Sequence, residues 1–201
     1  MSVVIERVLD REAVREILGS SPSVVPTKPE VRPRWAVIGL IGLRLAIGFE
    51  FLWAFFDKTF GLGFATPTAR AWLNGGSPTK GFLSHASGPL SNVFGSLAGV
   101  SAIDWLFMLG LLGVGLALVL GVAVRAGAVA GVVMLLTMYV AVWLPTTTPD
   151  GTGNATNPII DEHIIAIFGL ILVATLVNWS GGYLGRKWAS LPIVKTRPWL
   201  R

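Results

Sequence analysis

The sequence contains no cysteine and only two histidines. The lack of cysteine excludes disulfide relays, CxxC redox chemistry, thiolate metal sites and haem attachment through thioethers. Any redox role must use a borrowed cofactor. Charge is scarce too: Asp, Glu, Lys and Arg make up 13% of the chain, against about 25% in a soluble domain. Hydrophobic residues make up 53%, and mean hydropathy is +0.68. Such a composition reads as an integral membrane protein, with the lipid bilayer as its first partner. The net charge of +5 does not argue for nucleic acid, because the basic residues cluster beside the apolar segments. Residues 1–34 mix acidic and basic side chains and hold no apolar run of the kind a cleavable signal peptide needs.

Four apolar segments are present: Trp35–Phe56, Ile103–Val124, Ala126–Leu144 and Ile159–Val177. Each is close to the roughly 20 helical residues that cross a bilayer. Only Arg125 and its neighbours separate the second from the third, which predicts a tight antiparallel hairpin. Basic residues concentrate in the N-terminal tail (Arg7, Arg11, Arg15, Lys28, Arg32, Arg34) and the C-terminal tail (Arg186, Lys187, Lys195, Arg197, Arg201). The long first loop holds only Lys58, Arg70 and Lys80. By the positive-inside rule both termini face the cytoplasm, and the two larger loops face outward.

Outside the spans, residues 3–18 read as an amphipathic helix, with Val4, Ile5, Val8, Leu9, Ala13, Ile17 and Leu18 on one side. A linker broken by Pro22, Pro26, Pro29 and Pro33 follows. The helix can rest on the membrane surface or dock a soluble partner. The loop from Thr59 to Ser101 is too long for a simple connector. Thr66-Pro67 and Ser77-Pro78 are helix starts, Gly75 is a stop, and Leu90, Val93, Phe94 and Leu97 fall at helical spacing. These signals predict short helices lying across the outer face as a lid. Glycine and alanine recur every four residues at Gly113, Ala117 and Gly121, and at Gly127 and Gly131, the spacing that lets helix backbones approach closely in lipid.

Arg44 and Glu50 lie inside the first apolar segment. A charge near the centre of a spanning helix costs roughly 2.5–3.5 kcal/mol on insertion scales. Each therefore needs a partner, a wet pocket or a ligand. Rotation of 100° per residue puts Arg44, Gly48, Phe51, Phe55 and Lys58 on one stripe. Glu50 and Asp57 share another, about 120° away, with Trp53 beside Glu50. At the start of the fourth segment Asp161, Glu162 and His163 are consecutive, so helical geometry spreads them over about 200° and turns at least one toward the bundle. Asp104 opens the second segment at the same outer level. The outer half could gather Glu50, Asp57, Asp104, Asp161, Glu162 and His163, with Lys58 and Arg44 as counterions. Acids at a helix start are also ordinary caps, which covers Asp104 and Asp161 but not Glu50. His163 can be a packed polar residue, a proton carrier or a hydrogen-bond partner for a quinone. No HExxH or ExxH spacing is present, and no metal site is expected.

The first segment, LRLAIGFEFLWAFFDKTFG, resembles the opening helix of the DoxX/DoxD membrane family: an arginine, a glycine four later, an aromatic three further and a lysine near the helix end. Arg44, Gly48, Phe51 and Lys58 carry that pattern. The loop AWLNGGSPTKGFL (71–83) and the later GPLSNVFGSLAG (88–99) look like the corresponding parts of the DoxD-type branch. The resemblance covers roughly residues 36–180. It implies a four-helix membrane bundle and a link to the membrane subunit of thiosulfate:quinone oxidoreductase.

The sequence is thus expected to be all-α: residues 1–34 a cytoplasmic helix and linker, 35–180 four transmembrane helices in the cell membrane, and 181–201 a basic cytoplasmic tail. The expected role is the membrane subunit of a quinone-linked oxidoreductase. Glu50, His163 or Asp57 would exchange protons. Arg44, Lys58, Asp161 and Glu162 would hold anionic or polar groups, and Phe51, Trp53 and Phe55 would line the quinone ring. Electrons would come from a partner redox subunit or respiratory complex, and a homo-oligomer is compatible. A non-catalytic anchor or assembly subunit is the main rival, and a small transporter the next.

Overall fold

The structure, a computed structural model, describes residues 33–87, 89–142, 159–180 and 182–200. The expected N-terminal amphipathic helix, its linker up to residue 32, and most of the third loop lie outside the described residues.

The first helix, α1, runs Arg34–Phe60. Pro33 precedes it in an extended conformation, and the lack of a proline N–H costs nothing at a helix start. The helix passes the expected end at Phe56. Its stop is Gly61, in the left-handed region at φ 66°, whose N–H closes on the Asp57 carbonyl at 2.8 Å. A Cβ at Gly61 would sit 2.5 Å from Cα of Thr68, so the returning loop also requires glycine there. At 1.5 Å per residue α1 is about 40 Å long, more than the roughly 30 Å hydrocarbon core.

A stretch of short helical pieces follows: turns at Thr68–Arg70 and Trp72–Asn74, then α2 at Lys80–Ser84 and α3 at Ser91–Leu97. Pro67 and Gly75 flank the turns as the sequence signals indicate, but α2 begins two residues after Pro78. The segment is tied down at both ends. Trp72 meets Trp105 edge-on at 4.6 Å between ring centres. Leu83 and Phe94 pack with Ala141, and the Ser87 N–H bonds the Ala141 carbonyl at 3.0 Å.

Helices α4 (Ser101–Leu120) and α5 (Val124–Val142) form the expected hairpin. Gly121 (φ 70°) and Ala123 (φ 51°) make the tight turn between them. Arg125 belongs to the first turn of α5 rather than to the loop, and its Nε donates to the Ala174 carbonyl at 3.3 Å. The last apolar segment is divided. Helix α6 spans Glu162–Thr175, Leu176 interrupts it, and α7 covers Val177–Ser180. Short helices α8 (Tyr183–Ser190) and α9 (Pro192–Lys195) and a turn at Pro198–Leu200 complete the chain.

The described residues are helical throughout, apart from loops and one isolated bridge between Leu62 and Pro67. Three helices, α1, α4 and α5, are long and apolar enough to cross a membrane, while α6 is a shorter apolar helix. Helix α1 packs on α4, α6 and α7, and α5 packs on α4 and α6. The shared core includes Ile47, Phe51, Met108, Val114, Leu118 and Leu170. Small residues set the close approaches. A Cβ on Gly48 would lie 2.9 Å from Cβ of Leu118, and one on Gly115 would lie 3.0 Å from the Leu52 amide. Gly131 serves α5 in the same way against Leu170, but Gly113 faces open space. Of the expected stripe, Ala117 meets Gly127 across the hairpin, where an added Cβ would lie 2.7 Å away, while Gly110 and Gly115, outside that stripe, also make close approaches. Large apolar side chains such as Ile38, Phe49, Leu106, Val129 and Phe168 point outward, the arrangement of a bundle solvated by lipid tails.

Candidate functional site

Helix α1 distributes its charges over three environments. Arg44, Gly48 and Phe51 face inward, as their shared stripe predicts, and Arg44 is only 5% exposed. The guanidinium lies against the end of α4, where a Cβ on Gly121 would overlap Nη1. The last carbonyls of a helix lack intrahelical partners and carry partial negative charge, so a cation is favourable there. Nε and Nη1 of Arg44 nevertheless have no hydrogen-bond partner among the described residues. Gly185 of α8 closes over the same turn, where an added Cβ would sit 2.5 Å from the Gly121 carbonyl oxygen. Ser180 at the end of α7 is a second buried group whose hydroxyl has no described partner.

Glu50, by contrast, is exposed on the outer surface of α1. Trp53, one turn on, is exposed with it. The Phe49 and Trp53 rings lie 5.9 Å apart, and Phe64 from the first loop meets Trp53 edge-on at 5.0 Å. Phe51 is in the core, 3.5 Å from where a Cβ on Gly131 would be. Phe51 and Trp53 therefore do not line one pocket.

Asp57 shares the stripe of Glu50, yet it is buried. The Gly61 turn folds the loop back over it, and its two oxygens accept from the Phe64 N–H at 3.2 Å and the Ala65 N–H at 3.1 Å. Asp104 plays a matching part on α4. Its Oδ1 accepts from the Ser77 hydroxyl at 2.9 Å, the Thr79 N–H at 3.0 Å and the Thr79 hydroxyl at 2.6 Å. Both acids anchor the first loop, a role that the sequence does not reveal for Asp104. Asp57 and Asp104, expected to gather with Glu50, are instead held by separate partners of their own.

Asp161 is the N-cap of α6. Its Oδ1 accepts from the Ile164 N–H at 3.1 Å, and its Oδ2 accepts from His163 Nδ1 at 2.8 Å. Burial works to raise this carboxyl, but the hydrogen bonds from His163 and the Ile164 amide outweigh it and hold the group below the ordinary carboxylate value. Glu162 is exposed, and its Oε1 lies 4.0 Å from His163 Nδ1. The ligand atoms of the three side chains lie within 4.8 Å of one another, close enough for a shared cation, although the capping bonds already account for Asp161 and His163.

The first loop and the end of α1 form an open pocket of about 820 Å³. Lys58, Arg70, Lys80, His85, Ser84 and Asn74 are among its lining residues, and no Asp or Glu lines it. His85 Nδ1 lies 2.7 Å from the Gly81 carbonyl, so that nitrogen carries the hydrogen. The sequence singled out Lys58 alone. A readable signal for the others is that every Lys and Arg of the first loop ends up on this pocket. No family model, curated protein or solved structure matches the chain.

Proposed function

We propose that this chain is the membrane subunit of a quinone-linked oxidoreductase, a four-span bundle with both termini in the cytoplasm. The observation that carries the reading is Glu50, an exposed carboxyl midway along an apolar helix with Trp53 and Phe49 beside it. A carboxyl facing lipid is expensive unless something meets it there. A quinone diffuses within the hydrocarbon and can reach this face sideways, without an enclosed cavity. Its ring would lie against Trp53, with one oxygen toward Glu50. When bound, a quinone accepts two electrons and two protons to become the quinol. The carboxyl of Glu50 is placed to deliver one of those protons as a general acid. The electrons come from a partner redox subunit on the outer side, in keeping with the resemblance to DoxD-type proteins. Asp57 serves by holding the loop that brings Phe64 to Trp53. His163 and Asp161 form a second proton-handling pair at the outer end of the bundle.

The same exposed carboxyl also fits an anchor, in which Glu50 faces a polar residue of a neighbouring subunit or of a second copy. One experiment separates the two readings. Membranes holding Glu50→Gln or wild type at matched levels are assayed for donor-dependent quinone reduction, and complexes are recovered in mild detergent. The expected result is a rate at least about tenfold lower, or about 1.4 kcal/mol in barrier, with the complex intact. A wild-type rate in Glu50→Gln would refute the proton-delivery role, and loss of the complex would transfer Glu50 to the interface.

A further inference from the structure

We infer that the pocket formed by the first loop and the end of α1 is a binding site for a tetrahedral oxyanion, a phosphate or sulfate group, either free or carried by a lipid headgroup. The inference does not rest on quinone chemistry and would stand if the protein reduced no quinone.

The first support is the composition of the wall. Lys58, Arg70 and Lys80 line one pocket, His85 stands with them, and no carboxylate does. Among the described residues none of these lysines or this arginine is in an ion pair. Three like charges around one concavity repel one another, and an anion between them relieves that repulsion. Asp57 acts electrostatically on Lys58, but its two oxygens are already taken by the Phe64 and Ala65 amides.

Preorganisation is the second support. The wall is not a loose loop. Asp57 pins it at 64–65 and Asp104 pins it at 77–79. The Asn74 side chain donates to the Thr68 carbonyl at 2.8 Å, and the Gly76 N–H donates to the Ala71 carbonyl at 3.0 Å. A Cβ on Gly76 would overlap the Arg70 carbonyl, so the turn carrying Arg70 is closed tightly. The buried acids thus hold the loop through neutral amides and hydroxyls and leave its cations unspent. The Asn74 side-chain amide keeps one N–H beyond its bond to the Thr68 carbonyl and adds a neutral donor to the cationic lining. The size, about 820 Å³, exceeds what one phosphate fills and leaves room for an attached group.

The test uses the full chain in nanodiscs of purely zwitterionic lipid. Calorimetric titration with sodium sulfate and with inorganic phosphate is run on wild type, Arg70→Ala, Lys80→Ala, Arg70→Lys and, as a control away from the pocket, Lys195→Ala. Saturable binding is expected for wild type, weakened at least about tenfold in each alanine variant and within about threefold of wild type in Arg70→Lys and Lys195→Ala. A second arm adds phosphatidylglycerol to the nanodiscs and counts retained lipid by native mass spectrometry. Retention that depends on Arg70 and Lys80, with no saturable binding of free ions, identifies a lipid headgroup as the source. Free-ion binding unaffected by the lipid identifies a soluble anion. If neither the ions nor the lipid respond to the alanine changes while thermal unfolding is unaltered, the pocket is not an oxyanion site. Unfolding in an alanine variant leaves Arg70→Lys to decide: no saturable binding by this variant or by wild type, in either arm, overturns the inference.

Discussion

Two buried charges on one helix meet opposite fates. Asp57 has both oxygens filled by backbone amides of a loop built to reach it. Arg44, nearly as buried, has two nitrogens with no described partner and only the end of α4 for company. About 20 Å of helix separates them, at 1.5 Å per residue. Among the described residues, the Asp57 end of the bundle is a finished hydrogen-bonded structure, while the Arg44 end holds a buried cation with two unbonded nitrogens. The two ends should therefore respond differently to the same kind of substitution.

The largest effect is expected at Asp104, the other buried acid that anchors the first loop. Asp104→Ala strands the Ser77 hydroxyl and both Thr79 donors. At about 1–3 kcal/mol for each of the two buried Thr79 donors left unsatisfied, the loss is about 2–6 kcal/mol. Arg44→Met is the opposing arm. It removes a buried cation that has no described carboxylate partner, so it should cost less than about 1 kcal/mol or stabilise the protein. Thermal unfolding in matched detergent measures both. A large loss in Arg44→Met would show that Arg44 is paired after all, with a group outside the described residues, and the contrast between the two ends would fail.

A smaller effect is expected at Gly121. A left-handed conformation costs an L-residue roughly 1–2 kcal/mol, and here an added Cβ would also displace the Arg44 guanidinium. Gly121→Ala should lose about 2–3 kcal/mol, the sum of that strain and a clash of about 1 kcal/mol. A Met side chain at position 44 ends near the position of Nε and does not reach the turn. In an Arg44→Met background the cost of Gly121→Ala should therefore fall by about 1 kcal/mol, the backbone strain alone remaining. Equal costs in both backgrounds would mean that Arg44 does not bear on the α4–α5 turn.

Much of this contrast was readable in the sequence, but unevenly. The apolar segments, the tight α4–α5 hairpin and the inward stripe of Arg44, Gly48 and Phe51 follow from helical periodicity, which is local. Burial of Asp57 was not legible, because it depends on a loop folding back to bring residues 64 and 65 over the helix end. Asp104 looked like an acid at a helix start, which it is, but its bonds reach back 25 and 27 positions to Thr79 and Ser77. The division of the last apolar segment at Leu176 carries no proline or glycine to announce it. The pocket at Lys58, Arg70, Lys80 and His85 needed the loop conformation, since those residues spread over 27 positions with no motif linking them. Glu50 was legible as unusual, but its direction depended on which side of α1 the other helices occupy.

The smallest expected effect belongs to Asp161, the N-cap that precedes α6, and it extends the comparison to pH. Its carboxylate caps α6 through the Ile164 N–H and accepts from His163, and those bonds hold it below the ordinary value of 3.8. A group whose carboxyl is held low when folded contributes stability that is fully present above the unfolded value and is lost as pH falls through the folded one. Near neutral pH, Asp161→Ala should therefore cost about 1 kcal/mol, the usual loss of an N-cap. Asp161→Asn keeps a capping oxygen but not the charge, so it should cost less. Its deficit against wild type should shrink as pH is lowered below 3.8, where the wild-type carboxyl takes up its proton. Unfolding temperatures of wild type and Asp161→Asn, followed from pH 7 downward in the same detergent, check the sign. Curves that converge on acidification support an ionised, His163-bonded cap. A deficit that stays constant at every pH would show that the charge does nothing and that the cap works as a neutral oxygen alone.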